Sequence, residues 1–148
     1  MINFSKTAFF TICSANYIPT AKILLDGLKE NTVNDIFLIV CDGKRENLNK
    51  YFVNSDVSVI YVEDLEIENF KDFIFRYSIL ELNTAIKPFV FSYLFNKGFE
   101  KIFYFDPDIS IESSLNVFED ILDEYDAVVT PHLLSPYTDS EKPNLDDI

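Results

Sequence analysis

Two aspartates, Asp106 and Asp108, follow an apolar and aromatic run and are separated only by Pro107. The run, residues 101–105 (KIFYF), has the composition of a β-strand that is covered on both faces. Because Pro107 has no backbone N–H, the ladder cannot continue regularly through it, and both carboxylates come to lie at a strand end. Two carboxylates about 4 Å apart repel each other by about 4 kcal/mol at an effective dielectric constant of about 20. The spacing therefore predicts a cation here, and a hard divalent metal with oxygen ligands is the natural candidate.

The same two acids also have a purely structural interpretation. An isolated Asp-x-Asp is a weak signal, because Asp side chains are common in turns, where they accept hydrogen bonds from backbone N–H groups. The position of this pair, directly after a buried aromatic strand, favours metal binding over a simple turn.

Lys87 is the second residue that could do chemistry. It lies in the first turn of a predicted helix, beside Pro88, where a cation opposes the helix dipole and is normally unfavourable. An anionic ligand bound by both the amine and the helix N-terminus would reverse that effect. The alternatives are a solvated lysine and a salt bridge to Glu81.

Further polar side chains follow the predicted strands. Ser14, Asn16 and Tyr17 come after the first strand, and Asp42 comes after the second. Tyr17 could stack on a base, Asn16 could bind a ribose or phosphate, and Asp42 could accept from a base N–H. The structural alternatives are a helix cap with a packed aromatic for Asn16 and Tyr17, and a turn cap for Asp42.

His132 is the only histidine and follows the last predicted strand. A loop histidine that touches substrate and a histidine with a structural role both fit this position. Ser135 lies nearby, but the nucleophile elbow of a serine hydrolase is absent from the sequence.

These residues are positioned by an alternation of apolar runs and helical patterns. The apolar runs predict strands over residues 7–13, 35–41, 57–62, 101–105 and 127–130. The helical patterns predict helices over residues 18–31, 45–52, 70–75, 84–96 and 115–122, the fourth of them apolar nearly all round and therefore buried. The alternation predicts one α/β domain over residues 1–148, a Rossmann-like and mostly parallel sheet flanked by helices on both faces. Ligands of such sheets bind beyond the carboxyl ends of the strands.

Composition excludes several classes of function. With only 3 glycines, the sequence contains neither a Gly-x-Gly-x-x-Gly nor a P-loop motif. A net charge of −13, with 25 acids against 12 bases, argues against a nucleic-acid partner and against an anionic membrane surface. No apolar run approaches the length of a membrane span, about 20 residues. Cys13 and Cys41 are expected to be buried and reduced, as in a cytoplasmic protein.

Three blocks of the sequence resemble the N-terminal half of the type-A-fold glycosyltransferases, close to the glycogenin and bacterial galactosyltransferase group. The blocks are residues 11–17 (TICSANY), residues 81–89 (ELNTAIKPF) and, as the most specific, residues 101–109 (KIFYFDPDI). Their order and spacing extend over nearly the whole chain. The resemblance implies a nucleotide-diphosphate sugar donor, usually linked to UDP, and a Mn²⁺ or Mg²⁺ ion.

The resemblance also implies roles for individual residues. Asp106 and Asp108 match the metal-binding Asp-x-Asp of the family, and the first of them commonly approaches the ribose as well. Asn16 and Tyr17 match positions that contact the nucleotide, with Tyr17 facing the uracil. Lys87 matches a cation, often arginine, that contacts the donor, although lysine lacks the planar fork of arginine. Some relatives have an acid at the position of Ser14, another expected nucleotide contact.

The expected activity is transfer of a hexose from a UDP-sugar to a glycan, lipid-linked or protein acceptor, in the cytoplasm or at the inner face of the membrane. In the family, the acceptor-binding half and a late histidine metal ligand lie beyond a segment like residues 135–148. The resemblance therefore predicts that this chain supplies the donor- and metal-binding half, with weak donor binding and little or no transfer. Association with a C-terminal half, or self-association, would follow. The alternative is a non-catalytic binding or interaction domain with the same fold.

Overall fold

A computed structural model describes residues 6–48, 51–52 and 55–131 of the chain. The four strands are β1 (Thr7–Cys13), β2 (Asp35–Val40), β3 (Val57–Tyr61) and β4 (Lys101–Tyr104). The α-helices in these ranges are α1 (Ile18–Asn31), α2 (Arg45–Leu48), α3 (Phe70–Phe75), α4 (Ile79–Ala85), α5 (Lys87–Asn96) and α6 (Asn116–Glu124). Two short 3₁₀ segments, Ala15–Tyr17 and Val62–Leu65, follow β1 and β3.

The four strands form one parallel sheet in the order β3-β2-β1-β4. Strand β1 is central, and all seven of its residues are buried. It pairs with β2 from Ala8↔Asp35 to Cys13↔Val40 and with β4 from Thr7↔Lys101 to Phe10↔Tyr104. The predicted α/β fold, a parallel sheet flanked by helices, is therefore confirmed.

Strand β1 supplies side chains to a separate core on each face of the sheet, because successive residues of a strand point to opposite sides. Phe10 and Ile12 belong to the core that is closed by α4, α5 and the segment 62–65. Phe9 and Cys13 belong to the core that is closed by α1 and α2. A strand covered on both faces must be apolar throughout, which explains its unbroken hydrophobic run.

Helix α1 begins as predicted at Ile18-Pro19, where a proline in the first turn loses no hydrogen bond. Its buried side chains recur at helical spacing and face the sheet: Ile18, Ala21, Leu24, Leu25 and Leu28. With 14 residues it is the longest helix in the described part of the chain. Within those described ranges, no helix is both long and apolar enough to cross a membrane.

The single helix predicted over 84–96 is wrong, because the structure has two helices that meet at Ile86. Helix α4 begins earlier, at a capping box in which Ser78 and Glu81 bind each other's backbone N–H groups. Helix α5 is buried on one side only, and Phe95 is 53% exposed. The prediction of a buried helix, made from its apolar composition, therefore holds for one face of α5. Gly98, with φ +87, ends this helix at the predicted position.

The strand predicted over 127–130 is also wrong, since these residues form no strand and Val129 is 86% exposed. The run pairs with neither edge strand of the sheet, β3 or β4, because β propensity alone does not place a segment beside an edge. Other boundaries move by one or two residues: β2 ends at Val40, β3 at Tyr61, and α6 spans Asn116–Glu124. Of the helix predicted over 45–52, the described part is helical over Arg45–Leu48.

Helix α6 is fixed at the amino ends of β1 and β4. Thr7 Oγ1 donates to Glu119 Oε2 at 2.9 Å, and Lys101 Nζ donates to the Glu119 carbonyl at 2.7 Å. The Lys101 amine also lies 2.6 Å from Asp123 Oδ1. These contacts leave the opposite, carboxyl edge of the sheet free of this helix.

Leu24→Ala tests the importance of the α1 face of the sheet. Leu24 is fully buried, so we expect the free energy of unfolding to fall by about 2–5 kcal/mol through lost burial and the cavity left behind. The neighbouring Ile23 is 62% exposed, and Ile23→Ala should change the free energy of unfolding by no more than about 0.5 kcal/mol. Urea unfolding followed by circular dichroism measures both, and equal effects of the two substitutions would contradict this packing.

Candidate functional site

A cavity opens at the carboxyl ends of β1 and β4. The chain leaves β1 towards β2 and β3 on one side, and returns to β4 on the other. Such a change of direction opens a crevice beside the sheet, where open α/β sheets bind their ligands. The cavity has a volume of about 380 Å³, which lies in the range of small-molecule sites.

The walls of the cavity come from three parts of the chain. The end of β1 and the turn after it contribute Ile12, Cys13, Ser14 and Tyr17. Helix α4 and the start of α5 contribute Ile79, Leu80, Asn83, Thr84 and Lys87, and the end of β4 with the following turn contributes Tyr104, Asp106, Pro107 and Asp108. The predicted site residues Ser14, Tyr17, Lys87, Asp106 and Asp108 are therefore brought together.

Asp106 is held by two neighbours. Tyr104 donates its hydroxyl hydrogen bond to Asp106 Oδ1 at 2.5 Å. Lys87 Nζ lies 3.8 Å from the same oxygen and 4.2 Å from the centre of the Tyr104 ring. The lysine therefore contacts both the carboxylate and the aromatic face, an ion pair combined with a cation–π contact. We call Lys87, Tyr104 and Asp106 the carboxylate cluster.

Burial, together with the hydrogen bond to Asp106, raises the pKa of the Tyr104 hydroxyl far above its ordinary value. A phenol that keeps its proton remains a donor, so this hydrogen bond persists across the ordinary pH range. Tyr104 therefore restricts the orientation of the Asp106 carboxylate.

The short strand explains how both acids reach the cavity. Ladder pairing of β4 ends at Tyr104, two residues before Asp106, and the Ile109 N–H then bonds the Asp106 carbonyl at 3.1 Å across Pro107 and Asp108. A turn thus follows the strand, but its hydrogen bond joins two backbone groups and not an Asp side chain as the structural alternative predicted. The side chains of Asp106 and Asp108 line the cavity.

Two carboxylates at this turn are a sparse protein shell for a metal ion. Within the described ranges, no group of three or more His, Cys, Asp or Glu side chains could hold one. Hard divalent cations take oxygen ligands and often keep waters or ligand phosphates in their shell. Asp106 and Asp108 fit a Mn²⁺ or Mg²⁺ ion whose remaining ligands come from a bound phosphate and water.

Lys87 is the first residue of α5, and Pro88 is the second. Its amine is directed to Asp106, whereas the alternative partner, Glu81, accepts instead from Ser78 N and Ser78 Oγ at 2.8 Å. The N–H groups of Phe89 and Val90 in the first turn of α5 already bond the Ile86 carbonyl. The Lys87 amine is therefore the group at this helix start that can bind an anion.

Asn16 and Asp42 do not line the cavity. Asp42 Oδ1 accepts from the Ala15 N–H at 2.5 Å, and Ser14 Oγ donates to Asn16 Oδ1 at 2.6 Å. Both acceptors bind within the 3₁₀ turn that carries Tyr17. Asn16 caps neither this turn nor α1, and Asp42 binds the turn after β1 instead of the one that follows it, so both capping alternatives are wrong. Tyr17 itself is 39% exposed and borders the cavity. The prediction for His132 lies outside the described residues.

Sequence reasoning assigned no role to several lining residues, above all Asn83, Thr84 and Tyr104. Two signals in the sequence point to them. Leu80, Asn83 and Thr84 are spaced by three and four residues, as on one helix face. Tyr104 precedes Asp106 by two residues, and side chains at that spacing share one face of a strand.

No protein-family model matches this chain, and no curated protein is significantly similar to it. What is established is an α/β fold with a parallel four-stranded sheet flanked by helices. Inferences about function depend on the side chains of the cavity.

The two cysteines lie at the carboxyl ends of β1 and β2, with the Cys41 N–H bonded to the Cys13 carbonyl at 3.0 Å. Both are free and buried, as predicted. Burial, with a smaller contribution from Asp42, raises the pKa of the Cys13 thiol to about 12. Burial, followed by the neighbouring Cys13 and Asp42, raises the pKa of Cys41 to about 12. Both thiols therefore stay protonated in the folded protein.

We expect both thiols to resist iodoacetamide at about pH 8 in the folded protein and to react in urea, because the thiolate is the nucleophile. The folded state holds these protons more tightly than the unfolded chain, whose thiols titrate near the ordinary value of 9.0. Their contribution to stability is therefore complete below about pH 9 and is lost as the pH rises towards about 12.

Mass spectrometry of labelled protein and urea unfolding between about pH 8 and 11 measure both effects. The double variant Cys13→Ala/Cys41→Ala is the control and should lose less stability over this range. Labelling of the folded protein as fast as in urea would contradict the raised pKa values.

Proposed function

We propose that this chain binds a nucleotide-diphosphate sugar, UDP-linked, together with Mn²⁺ or Mg²⁺. In this proposal it forms the donor- and metal-binding part of a glycosyltransferase that transfers a hexose to a glycan, lipid or protein acceptor. The observation that supports it most is the convergence of two carboxylates, one lysine and one exposed tyrosine on a cavity at the β1–β4 crevice. Each of these groups has a counterpart in such a donor.

The metal would be held by Asp106 and Asp108. When bound, a divalent cation neutralises charge on a diphosphate and stabilises the departing nucleotide as a Lewis acid. Tyr104 supports this role, since its hydrogen bond fixes the carboxylate of Asp106 before any ligand arrives. Asp108 borders the same cavity and supplies the second carboxylate.

The diphosphate would lie between the metal and the start of α5. Lys87, the first residue of α5, supplies a positive charge at 3.8 Å from Asp106. In the ligand-free chain the Lys87 amine neutralises part of the charge on Asp106. With a metal ion held by Asp106 and Asp108, the Lys87 amine would be available to a phosphate oxygen.

The base would stack on Tyr17. This side chain is carried by the 3₁₀ turn after β1, which Asp42 and Asn16 hold in place. A ring fixed at the rim of a cavity offers an aromatic face at little cost in side-chain entropy. In this proposal, Asn16 and Asp42 act on the nucleotide through the turn, whereas Ser14 and Tyr17 border the cavity itself.

Asp106→Asn tests the metal site while keeping an oxygen that can accept from Tyr104. We expect wild-type protein to bind UDP in the presence of Mn²⁺ at millimolar concentration or below, measured by isothermal titration calorimetry. We expect Asp106→Asn to weaken this binding by about tenfold or more, since that factor corresponds to only about 1.4 kcal/mol of lost charge interaction. Asp108→Asn should also weaken the binding of UDP in the presence of Mn²⁺.

Asp120→Asn is the matched control, because Asp120 is an exposed acid on α6 at the other end of the sheet. It should bind UDP and Mn²⁺ as the wild type does. Absence of UDP binding by the wild type, or binding that Asp106→Asn leaves untouched, would refute the proposed metal site.

Lys87→Met tests whether the Lys87 amine contacts the Asp106 carboxylate in the ligand-free chain and a phosphate in the complex. Without the amine beside Asp106, we expect Mn²⁺ alone to bind more tightly, by about threefold to tenfold, because a competing cation is gone. We expect the complex of UDP and Mn²⁺ to bind more weakly, because the diphosphate loses its charged partner. Electron paramagnetic resonance of free Mn²⁺ measures the first effect, and calorimetry measures the second.

Lys97→Met is the control for this substitution. Lys97 lies 5.2 Å from the centre of the Tyr93 ring, a similar cation–π pair outside the cavity. Lys97→Met should change neither the affinity for Mn²⁺ alone nor the affinity for UDP with Mn²⁺. Weakening of both affinities by Lys87→Met would show that Lys87 has no competing role at Asp106.

Turnover separates the proposed enzyme from the non-catalytic alternative. Release of free hexose or its transfer from UDP-hexose, detected by chromatography and lost in Asp106→Asn, would support a glycosyltransferase. Tight binding of UDP-hexose without any turnover in the presence of acceptors would favour a binding domain.

A further inference from the structure

Asn83 has a defect that folding alone does not explain. Its side-chain Oδ1 is buried and has no hydrogen-bond partner, a condition that Thr11 Oγ1 shares among the described residues. A buried acceptor without a partner loses its hydration and gains nothing in return. Such groups in native proteins need a reason, and an absent ligand is one of them.

The position of Asn83 supplies that reason. The residue lies in the second half of α4 and lines the cavity next to Thr84, with Lys87 four residues further along. Ile79 and Leu80 on this wall are apolar, and neither the Thr84 hydroxyl nor any other group in the described part of the chain bonds the Asn83 Oδ1. Asn is also a weaker helix former than Leu or Ala, so local propensity does not favour it here.

The geometry points to Asn83 as a specificity-determining residue that binds a hydroxyl group of the ligand through its carboxamide. A hydroxyl donates one hydrogen bond and accepts others, so it can satisfy the buried Oδ1 and also accept from the amide nitrogen. The ligand class is therefore polyhydroxylated, a sugar ring at the apolar wall of the cavity. This inference rests on the proposed function and extends it, since no role for Asn83 is part of that proposal.

Thr11 provides the internal reference. Its Oγ1 has the same defect, but Thr11 is fully buried within β1 and does not line the cavity. Removing the unpaired oxygen should stabilise the folded state at either position. Only at Asn83 should it also change ligand binding.

Asn83→Leu and Thr11→Val therefore form a matched pair, with Asn83→Ala as a second cavity variant should leucine disturb the fold. We expect Asn83→Leu to leave the midpoint of urea unfolding unchanged or raised, and to weaken binding of Mn²⁺ with UDP-glucose by about tenfold or more. Thr11→Val should raise the midpoint and leave the affinity unchanged.

Two ligands identify the source of the hydroxyl. If the hydroxyl belongs to the hexose, Asn83→Leu and Asn83→Ala will weaken the binding of UDP-glucose and leave the binding of UDP unchanged. If the hydroxyl belongs to the ribose, the variants will bind UDP and UDP-glucose more weakly by the same factor. In that case, 2′-deoxy-UDP or 3′-deoxy-UDP will bind the wild type and the variants with equal affinity. Either pattern supports a hydroxyl-binding Asn83.

Wild-type affinity for both ligands in Asn83→Leu and Asn83→Ala would overturn the assignment and leave the proposed function intact. Absence of UDP and UDP-glucose binding by the wild-type protein would instead overturn the proposed function. The assignment of Asn83 to a sugar hydroxyl would then fall as well.

Discussion

The pairing of β1 with β4 is the constraint on which the site depends. Thr7 lies opposite Lys101 and Phe10 opposite Tyr104, so both strands run together to the same edge of the sheet. Aromatic contacts on both faces reinforce this register, with ring centres 5.1 Å apart for Phe9 and Phe103 and 5.2 Å apart for Phe10 and Tyr104. A slip by one residue would turn Tyr104 and Asp106 to the opposite face, away from Lys87.

Charge balance is the second constraint, and it acts within the carboxylate cluster. The cavity contains two acids and one lysine, so it keeps an excess of negative charge until a cation enters. Exposed ion pairs contribute little to stability, and Asp106 is more than half exposed. The value of the Lys87–Asp106 contact therefore lies in binding, where a metal ion and an anionic ligand together can satisfy both residues.

Much of this arrangement was predictable from sequence, because long apolar runs fix strands that are covered on both faces. The ends of β1 and β4, the start of α1 and the meeting of Tyr17 with Asp106 follow from that pattern. The place of Lys87 beside them was expected from the family resemblance, not from the pattern. The boundary at Ile86 was missed because helical periodicity continues from the end of α4 into α5, although Pro88 marks the start of a helix. The strand expected over 127–130 failed because β propensity does not supply a neighbouring edge. The unpaired Asn83 oxygen depends on which atoms surround it in three dimensions, and spacing alone does not reveal that.

Paramagnetic broadening by Mn²⁺ tests the central claim, that metal and nucleotide meet at the β1–β4 crevice. In a ¹⁵N-labelled sample with UDP, substoichiometric Mn²⁺ should broaden the amide signals of Ser14, Lys87 and Asp108 first. The signals of Glu119 and Asp123, on the acidic helix α6 at the opposite end of the sheet, should stay sharp. Broadening centred on α6, or a spectrum in which the crevice residues are no more affected than the rest of the chain, would contradict this account.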